Sequence, residues 1–300
     1  MTQIIHIGYP KTATTWFQKK MFPNVSNYSF MDRKDVMNLF IKPYGNNFNL
    51  DKTRKYIEKT YSKNIIISDE RLLGGMYTGG YNGFASKIIA KRLNSVFPDA
   101  KIIIFIRNQT DIITSTYYHY IMYGGTYGIK KFLFPPGFYV IQKIGMFSFE
   151  FFNYYNMIKL FNDIFSSVDV YLYEDFKTDN KHFIKKFISK YHFDVSIDNI
   201  SFDKSNSRYR RGLIGLKKFM NLFTNKQLIY KYYICNIPFL FNISLKIFSK
   251  LNNYSLFGKH VKSESLLKRR NINYIKNYYK TSNAKLIREF RLNKISKYNY

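Results

Sequence analysis

Lys101-Ile-Ile-Ile-Phe-Ile106 is of strand length and apolar without a break from Ile102 to Ile106, rich in the β-branched residues that fit a pleated sheet. Apolar side chains at every position, not at alternate ones, mean that both faces of the strand are covered. That is the pattern of a parallel sheet between two layers of helices. Gln3-Ile-Ile-His-Ile-Gly8, Asn64-Ile-Ile-Ile-Ser68 and Val168-Asp-Val-Tyr-Leu-Tyr173 read the same way. Helical patterns fall between them. Ala85, Ile88, Ile89, Leu93, Val96 and Phe97 recur at a period near 3.6, and residues 111–123 are helical again. Phe183, Ile184, Phe187, Ile188 and Tyr191 line one face of a further helix, and Thr14 to Phe22 is helical until Pro23 stops it. The alternation predicts an α/β fold, a parallel β-sheet flanked by helices, with ligands held at the carboxyl ends of the strands.

After Gly212 the pattern changes to aromatic and basic residues without clear strands. The expected organisation is an α/β domain over 1–212 and a helical C-terminal region, 213–300, packed on it. Lys and Arg number 48 against 19 Asp and Glu, a formal charge of +29, which draws polyanions without choosing among them. The lone Cys235 excludes an internal disulfide and reads as a small buried hydrophobe in an aromatic run. The five histidines have no metal-site spacing, so no metal is expected. The apolar stretch 228–248 is broken by Lys231, Asn236, Pro238, Asn242 and Lys246 and does not read as a membrane span. With no signal peptide before the first strand, the expected location is cytoplasmic, peripheral at most to the inner face of a membrane.

The most informative segment is Ile7-Gly-Tyr-Pro-Lys-Thr-Ala-Thr-Thr-Trp16. A strand ends, a tight turn follows and a helix opens at paired threonines, which aims unpaired backbone N–H groups at one point and makes an anion site. Lys11 adds a full charge, and Thr12, Thr14 and Thr15 add hydroxyls. The loop is not a Walker A motif: counted from Gly8, Ala13 stands at the second glycine and Thr14 at the lysine. It resembles the 5′-phosphosulfate loop of the sulfotransferase superfamily, Pro-Lys-x-Gly-Thr-Thr/Ser, matched here by Pro10, Lys11, Thr14 and Thr15. Ala13 replaces the usual glycine, which a methyl group tolerates only at negative φ. A second segment, Lys101 to Tyr117, resembles the family's 3′-phosphate anchor, an arginine at a strand end and a serine eight residues later; here these are Arg107 and Ser115. Arginine and a short hydroxyl suit a dianionic phosphate. Gln109 stands where the family usually has proline.

Val170 to Phe176 is similar to a family strand ending in an acidic pair, and Glu174 and Asp175 are read as capping and local structure. The segments 275–286 and 298–300 look like the tail of bacterial members. The resemblance implies the P-loop-like sulfotransferase fold over 1–212. It also implies 3′-phosphoadenosine 5′-phosphosulfate as donor, held by Lys11, Thr12, Ala13, Thr14, Thr15, Trp16, Arg107 and Ser115. Lys11 would serve catalysis as well. The acceptor's proton needs a base, and Glu70, just past a strand's carboxyl end, leads; Asp69, His119 and His6 are rivals, and an ion pair with Arg71 would make Glu70 structural. Arg208, Arg210 and Arg211, before Gly212, resemble a basic loop near the family's 3′-phosphate, and a solvated basic turn is the alternative reading.

The expected activity is sulfuryl transfer to a hydroxyl or amine, on a carbohydrate or glycolipid such as a cell-surface glycan, with no nucleic acid as partner. The alternatives are a P-loop-like kinase and a non-catalytic basic protein that binds membrane or nucleic acid. Within 213–264, Phe219, Phe223, Tyr230, Phe239, Phe241 and Phe248 lie among Lys217, Lys218, Lys226, Lys231, Lys246 and Lys250, a mixture suited to an anionic membrane interface. Internal packing and an acceptor lid or dimer surface are the competing readings.

Overall fold

The computed structural model describes residues 2–75, 83–134, 147–203, 210–226 and 231–300. Five strands, β1 (Gln3–His6), β2 (Ser29–Phe30), β3 (Ile65–Ser68), β4 (Lys101–Ile106) and β5 (Ser167–Leu172), form one sheet in the order β2-β3-β1-β4-β5. Every pairing is parallel, with Ile4 opposite Ile66 and Lys101, and Ile106 opposite Leu172. The fold is the α/β sheet flanked by helices that the isoleucine runs imply. β2 alone gave no signal, because two residues carry no periodicity.

The expected double burial is present in β1, β3 and β4, whereas β5, at the edge of the sheet, is half-buried except at Leu172. Ile4, Ile66, Ile103 and Phe105 point to one face, where they meet Trp16, Phe17, Met21, Phe22, Ile184 and Phe187. Ile5, Ile67, Ile102, Ile104 and Ile106 lie on alternate positions and are also buried. Burying a side chain such as Phe17 contributes roughly 2–3 kcal/mol relative to leaving it exposed. The helices Leu50–Thr60 and Ser86–Val96 pack on each other, and Tyr154–Asn162 packs on β4 and β5. The helical run after β1 begins as an α-turn, Thr14–Trp16, widens to a π-helix over Phe17–Met21, and closes in a 3₁₀ turn, Phe22–Asn24, that accommodates Pro23.

The division of the chain differs from the boundary expected at 212. One compact unit comprises 1–108, 153–205 and 280–300, and the other 109–152 and 206–279. The second unit thus takes the helix Gln109–Met122 out of the presumed α/β domain, because that helix packs on Arg211–Asn221 and the Asn221 side-chain amide donates to the carbonyls of Ile121 (2.7 Å) and Gly125 (2.8 Å). Residues 280–300 return to the sheet-bearing unit instead of continuing a C-terminal region.

Inside the second unit, Phe241, Ser244 and Phe248 form the buried face of the helix Leu240–Leu251, around the buried ammonium of Lys217, which donates to Ser244 Oγ. Lys231 is buried as well and donates to the Asn221 carbonyl at 2.8 Å. Phe241, Phe248, Lys217 and Lys231 are therefore interior and not part of an interface. Cys235, expected inside, is exposed together with the rest of 232–239. Tyr230 lies outside the described residues. Among the described residues, no helix is long and apolar enough to cross a membrane, and no cluster of three or more His, Cys, Asp or Glu could hold a metal.

Candidate functional site

Strand order places the site. β1 is central: the chain runs from it to β2 and β3 on one side and then crosses to β4 and β5 on the other, so the order reverses at β1, between the ends of β3 and β4. The pairing of β1 with β4 continues past the strand: Ile7 N–H donates to Ile103 O (2.9 Å) and Tyr9 N–H to Phe105 O (3.1 Å). The turn that follows is pinned at its base by Thr12, whose buried hydroxyl donates to the Tyr9 carbonyl at 2.6 Å. Thr12 therefore holds the loop's shape, leaving only its lone pairs toward a ligand.

Lys11 and Ala13 both have left-handed backbones, φ 71° and 68°. Ala13 thus occupies the conformation that a glycine adopts without cost, and its methyl group costs about 1 kcal/mol. Two such residues flanking Thr12 curl the chain into a concave nest of N–H groups, the form of backbone anion sites. No acceptor among the described residues takes the N–H groups of Lys11, Thr12, Ala13, Thr14 or Thr15. The first intrahelical bonds run from Trp16 and Phe17 back to Ala13 O, at 2.8 and 3.1 Å. Gly8 is required under this turn, since a Cβ there would stand 2.7 Å from Thr14 Cγ2 and 3.0 Å from His6 Nε2.

Lys11 is exposed at its surface, yet protein crowds its ammonium. Desolvation lowers its pKa, Glu70 partly restores it, and the charge of Arg107 lowers it further. Those two groups stand after the strands on either side of β1. Arg107, buried at the end of β4, donates to the Lys11 carbonyl (3.1 Å) and lies 4.7 Å over the Tyr173 ring, while its own carbonyl accepts from Tyr154 O–H at 2.5 Å.

Glu70, after β3, accepts from Gln18 Nε2 at 3.2 Å and from Arg33 at 3.0 Å. Arg71 turns instead to Asp69, the fully buried neighbour. Asp69 accepts from Arg71 N–H (2.9 Å), from the Arg71 guanidinium (2.8 and 2.5 Å) and from Arg33 Nε (3.1 Å). Burial pushes the Asp69 carboxyl up, but the bonds and charges of Arg71 and Arg33 outweigh it and hold the group below the usual carboxylate range. With its oxygens surrounded by cations, Asp69 is a structural anchor. Glu70, bonded more sparsely and about 29% exposed, is the carboxylate that can meet a ligand.

The remaining residues sort as follows. His6 is core: its Nδ1 lies 2.8 Å from Ser68 Oγ, its ring contacts Phe17, Phe22 and Phe105, and burial lowers its pKa to about 3. Trp16 is buried against Phe17, Phe176 and Phe202, with its indole N–H given to the Ser201 carbonyl at 2.9 Å. Thr14 is buried and Thr15 half-buried at the helix opening. Ser115 and His119 lie half-buried on the helix Gln109–Met122 of the second unit, His119 against the Tyr123 ring at 4.3 Å. Arg210 is spent on Asn252 and on the Gly258 carbonyl, Arg211 is exposed, and Arg208 lies outside the described residues.

Glu174 and Asp175 tie down the end of the chain. Glu174 accepts from Asn108 N–H (2.9 Å) and Tyr300 O–H (2.8 Å), and Asp175 from Tyr298 O–H (2.7 Å) and Lys294 (3.1 Å). Burial raises the Glu174 pKa against those bonds.

Sequence reasoning missed Arg33 and Gln18. Arg33 opens a helix capped by Asp32, and only the pairing of β2 with β3 brings it beside Glu70.

No family model and no curated protein sequence matches the chain. Among solved structures it is similar to a sulfotransferase from Alicyclobacillus acidocaldarius, at 16% identity over 86% of this chain and 99% of that one, with a TM-score of 0.47.

Proposed function

We propose that the chain is a sulfotransferase that moves a sulfuryl group from 3′-phosphoadenosine 5′-phosphosulfate to a hydroxyl or amine of a carbohydrate or glycolipid. The observation that carries this reading is the turn at Lys11-Thr12-Ala13, left-handed at Lys11 and Ala13, with N–H groups that have no acceptor among the described residues, set between the guanidinium after β4 and the carboxylate after β3.

The nest suits the 5′-phosphate end of the donor, and Arg107 supplies a planar cation beside it for a second phosphate. The sulfuryl group carries a single negative charge, so an amide nest and one lysine can meet what develops in transfer. As the bond from sulfur to the phosphate oxygen breaks, charge builds on that oxygen, and Lys11 with the loop N–H groups takes it up. As the acceptor oxygen bonds to sulfur, its proton passes to Glu70. Gln18 and Arg33 fix the Glu70 carboxylate for that transfer.

Titration calorimetry in the presence of EDTA tests the reading. Binding of 3′-phosphoadenosine 5′-phosphate, weakened at least tenfold by removal of its 3′-phosphate, is the expected outcome. Tighter binding of ATP with magnesium, titrated in the same buffer without EDTA, than of this nucleotide would overturn it.

A further inference from the structure

The second unit carries an apolar surface that its own packing does not use. The helix Leu240–Leu251 buries one face through Phe241, Ser244 and Phe248. On another face, Phe239, Ile243 and Ile247 follow one another at single-turn spacing and are 75%, 50% and 44% exposed. The preceding segment is fixed to the end of the helix Arg211–Asn221: Ile234 N–H donates to Leu222 O (2.7 Å) and Ile237 N–H to Phe223 O (2.9 Å). Ile234, Ile237 and Phe219 are exposed there too, the last with its ring against Phe223 at 5.2 Å. A water-facing helix would not place large apolar groups in a row on its outer side, and a run of them marks a contact surface.

Charge identifies the contact. Between Asp203 and Glu264 the sequence has no acidic residue. Lys246 and Lys250 follow Ile243 and Ile247 by three residues each on the same helix and are exposed, as are Arg211 and Lys226. A protein partner of ordinary composition would meet this surface with apolar and mixed-charge groups. An apolar ridge carried by a segment whose charged residues are all cations fits hydrocarbon beside phosphate, with lysine stems able to lie along apolar surface while their ammonium groups reach outward.

We propose that this face docks on the surface of an anionic phospholipid bilayer, with Phe239, Ile243 and Ile247 entering the headgroup–acyl boundary and Lys246 and Lys250 pairing with lipid phosphates. The proposal is independent of the sulfotransferase reading, since it uses none of the residues around Lys11.

Vesicle flotation of the full chain tests it. The protein should float with phosphatidylglycerol-containing vesicles and not with pure phosphatidylcholine, and added salt should weaken the binding. The combined Phe239→Ser, Ile243→Ser, Ile247→Ser variant should lose flotation without a lower melting temperature, because the three side chains are exposed. Lys246→Gln with Lys250→Gln should weaken binding about 25-fold, at about five-fold per lysine near an anionic surface. Absence of wild-type flotation at low salt, or equal flotation by the serine variant, would overturn the proposal. So would a dimer in solution that the serine variant dissociates, which would assign the ridge to a second copy of the chain.

Discussion

Asp69 and Glu70 are adjacent in sequence, yet their surroundings predict opposite consequences for removing their charge. Asp69→Asn leaves two guanidinium groups facing a neutral amide. Breaking a fully buried ion pair costs about 3–5 kcal/mol, but Arg33 is 41% and Arg71 25% exposed, so solvent recovers part of the loss and about 2 kcal/mol is the expected cost. For a chain of this size that lowers the melting temperature by about 4 °C. The effect should depend on pH. Because the folded-state pKa of Asp69 lies below its unfolded value, near 3.9, the ionised group stabilises the fold above that value. That contribution is lost as pH falls through the lower folded-state value, and the asparagine variant should lack this acid-side decline. Glu70→Gln keeps size and the bond from Gln18, so melting should change little, whereas turnover should fall by about two to four orders of magnitude with donor binding intact. Differential scanning fluorimetry across pH, together with steady-state kinetics of both variants, separates the roles. If Asp69→Asn abolished turnover without affecting melting, or Glu70→Gln lowered melting and spared turnover, the assignments would be reversed.

The loop itself yields two further outcomes. Gly8→Ala puts a methyl group 2.7 Å from Thr14 Cγ2 and 3.1 Å from Thr12 Oγ1, so overpacking should cost about 1–3 kcal/mol and weaken nucleotide binding, measured by thermal melting and calorimetry. Lys11→Ala should lower kcat by about two to three orders of magnitude and donor affinity by less than about tenfold, since its charge is needed most as the leaving phosphate forms; a loss confined to affinity would make Lys11 a binding residue only.

What the sequence disclosed follows the range of the interactions involved. Continuous isoleucine runs reveal buried strands because every residue reports on the same environment, and β1, β3, β4 and β5 lie within a residue or two of the runs that announced them. The Lys11 loop and Arg107 were visible because each stands in a short local motif. Arg33 was not: its bond to Glu70 spans 37 positions and exists only because Phe30 of β2 lies opposite Ile66 of β3. The helix Leu240–Leu251 illustrates a second limit. It is apolar on two faces, so periodicity could not say which of Phe241 and Ile243 would be inside. The same ambiguity covers Lys217, which the membrane reading placed at an interface and the competing reading placed inside: its ammonium is buried over Phe241 and beside Ser244, where burial and the charge of Lys231 lower its pKa to about 8.

Ala13 separates what a residue pattern asks for from what a backbone does. The glycine of Pro-Lys-x-Gly-Thr-Thr reads as a requirement for positive φ, and an alanine in its place predicts either a different backbone or a strained one. The backbone is the strained one, φ 68° and ψ 13°, and Lys11 shares the left-handed conformation two residues earlier. Strain of this kind persists only where the surroundings over-determine it. Here the Thr12 bond to Tyr9 O fixes the turn from inside, the helical bonds of Trp16 and Phe17 to Ala13 O fix it from the following turn, and Gly8 leaves the space beneath it to Thr12, Thr14 and His6. The direction of the N–H groups in this loop is therefore set by these contacts, and the side chain at position 13 is secondary to it. A pattern that asks for glycine tests the residue, whereas a nest of N–H groups depends on the dihedral angles, and alanine can supply those at a cost of about 1 kcal/mol.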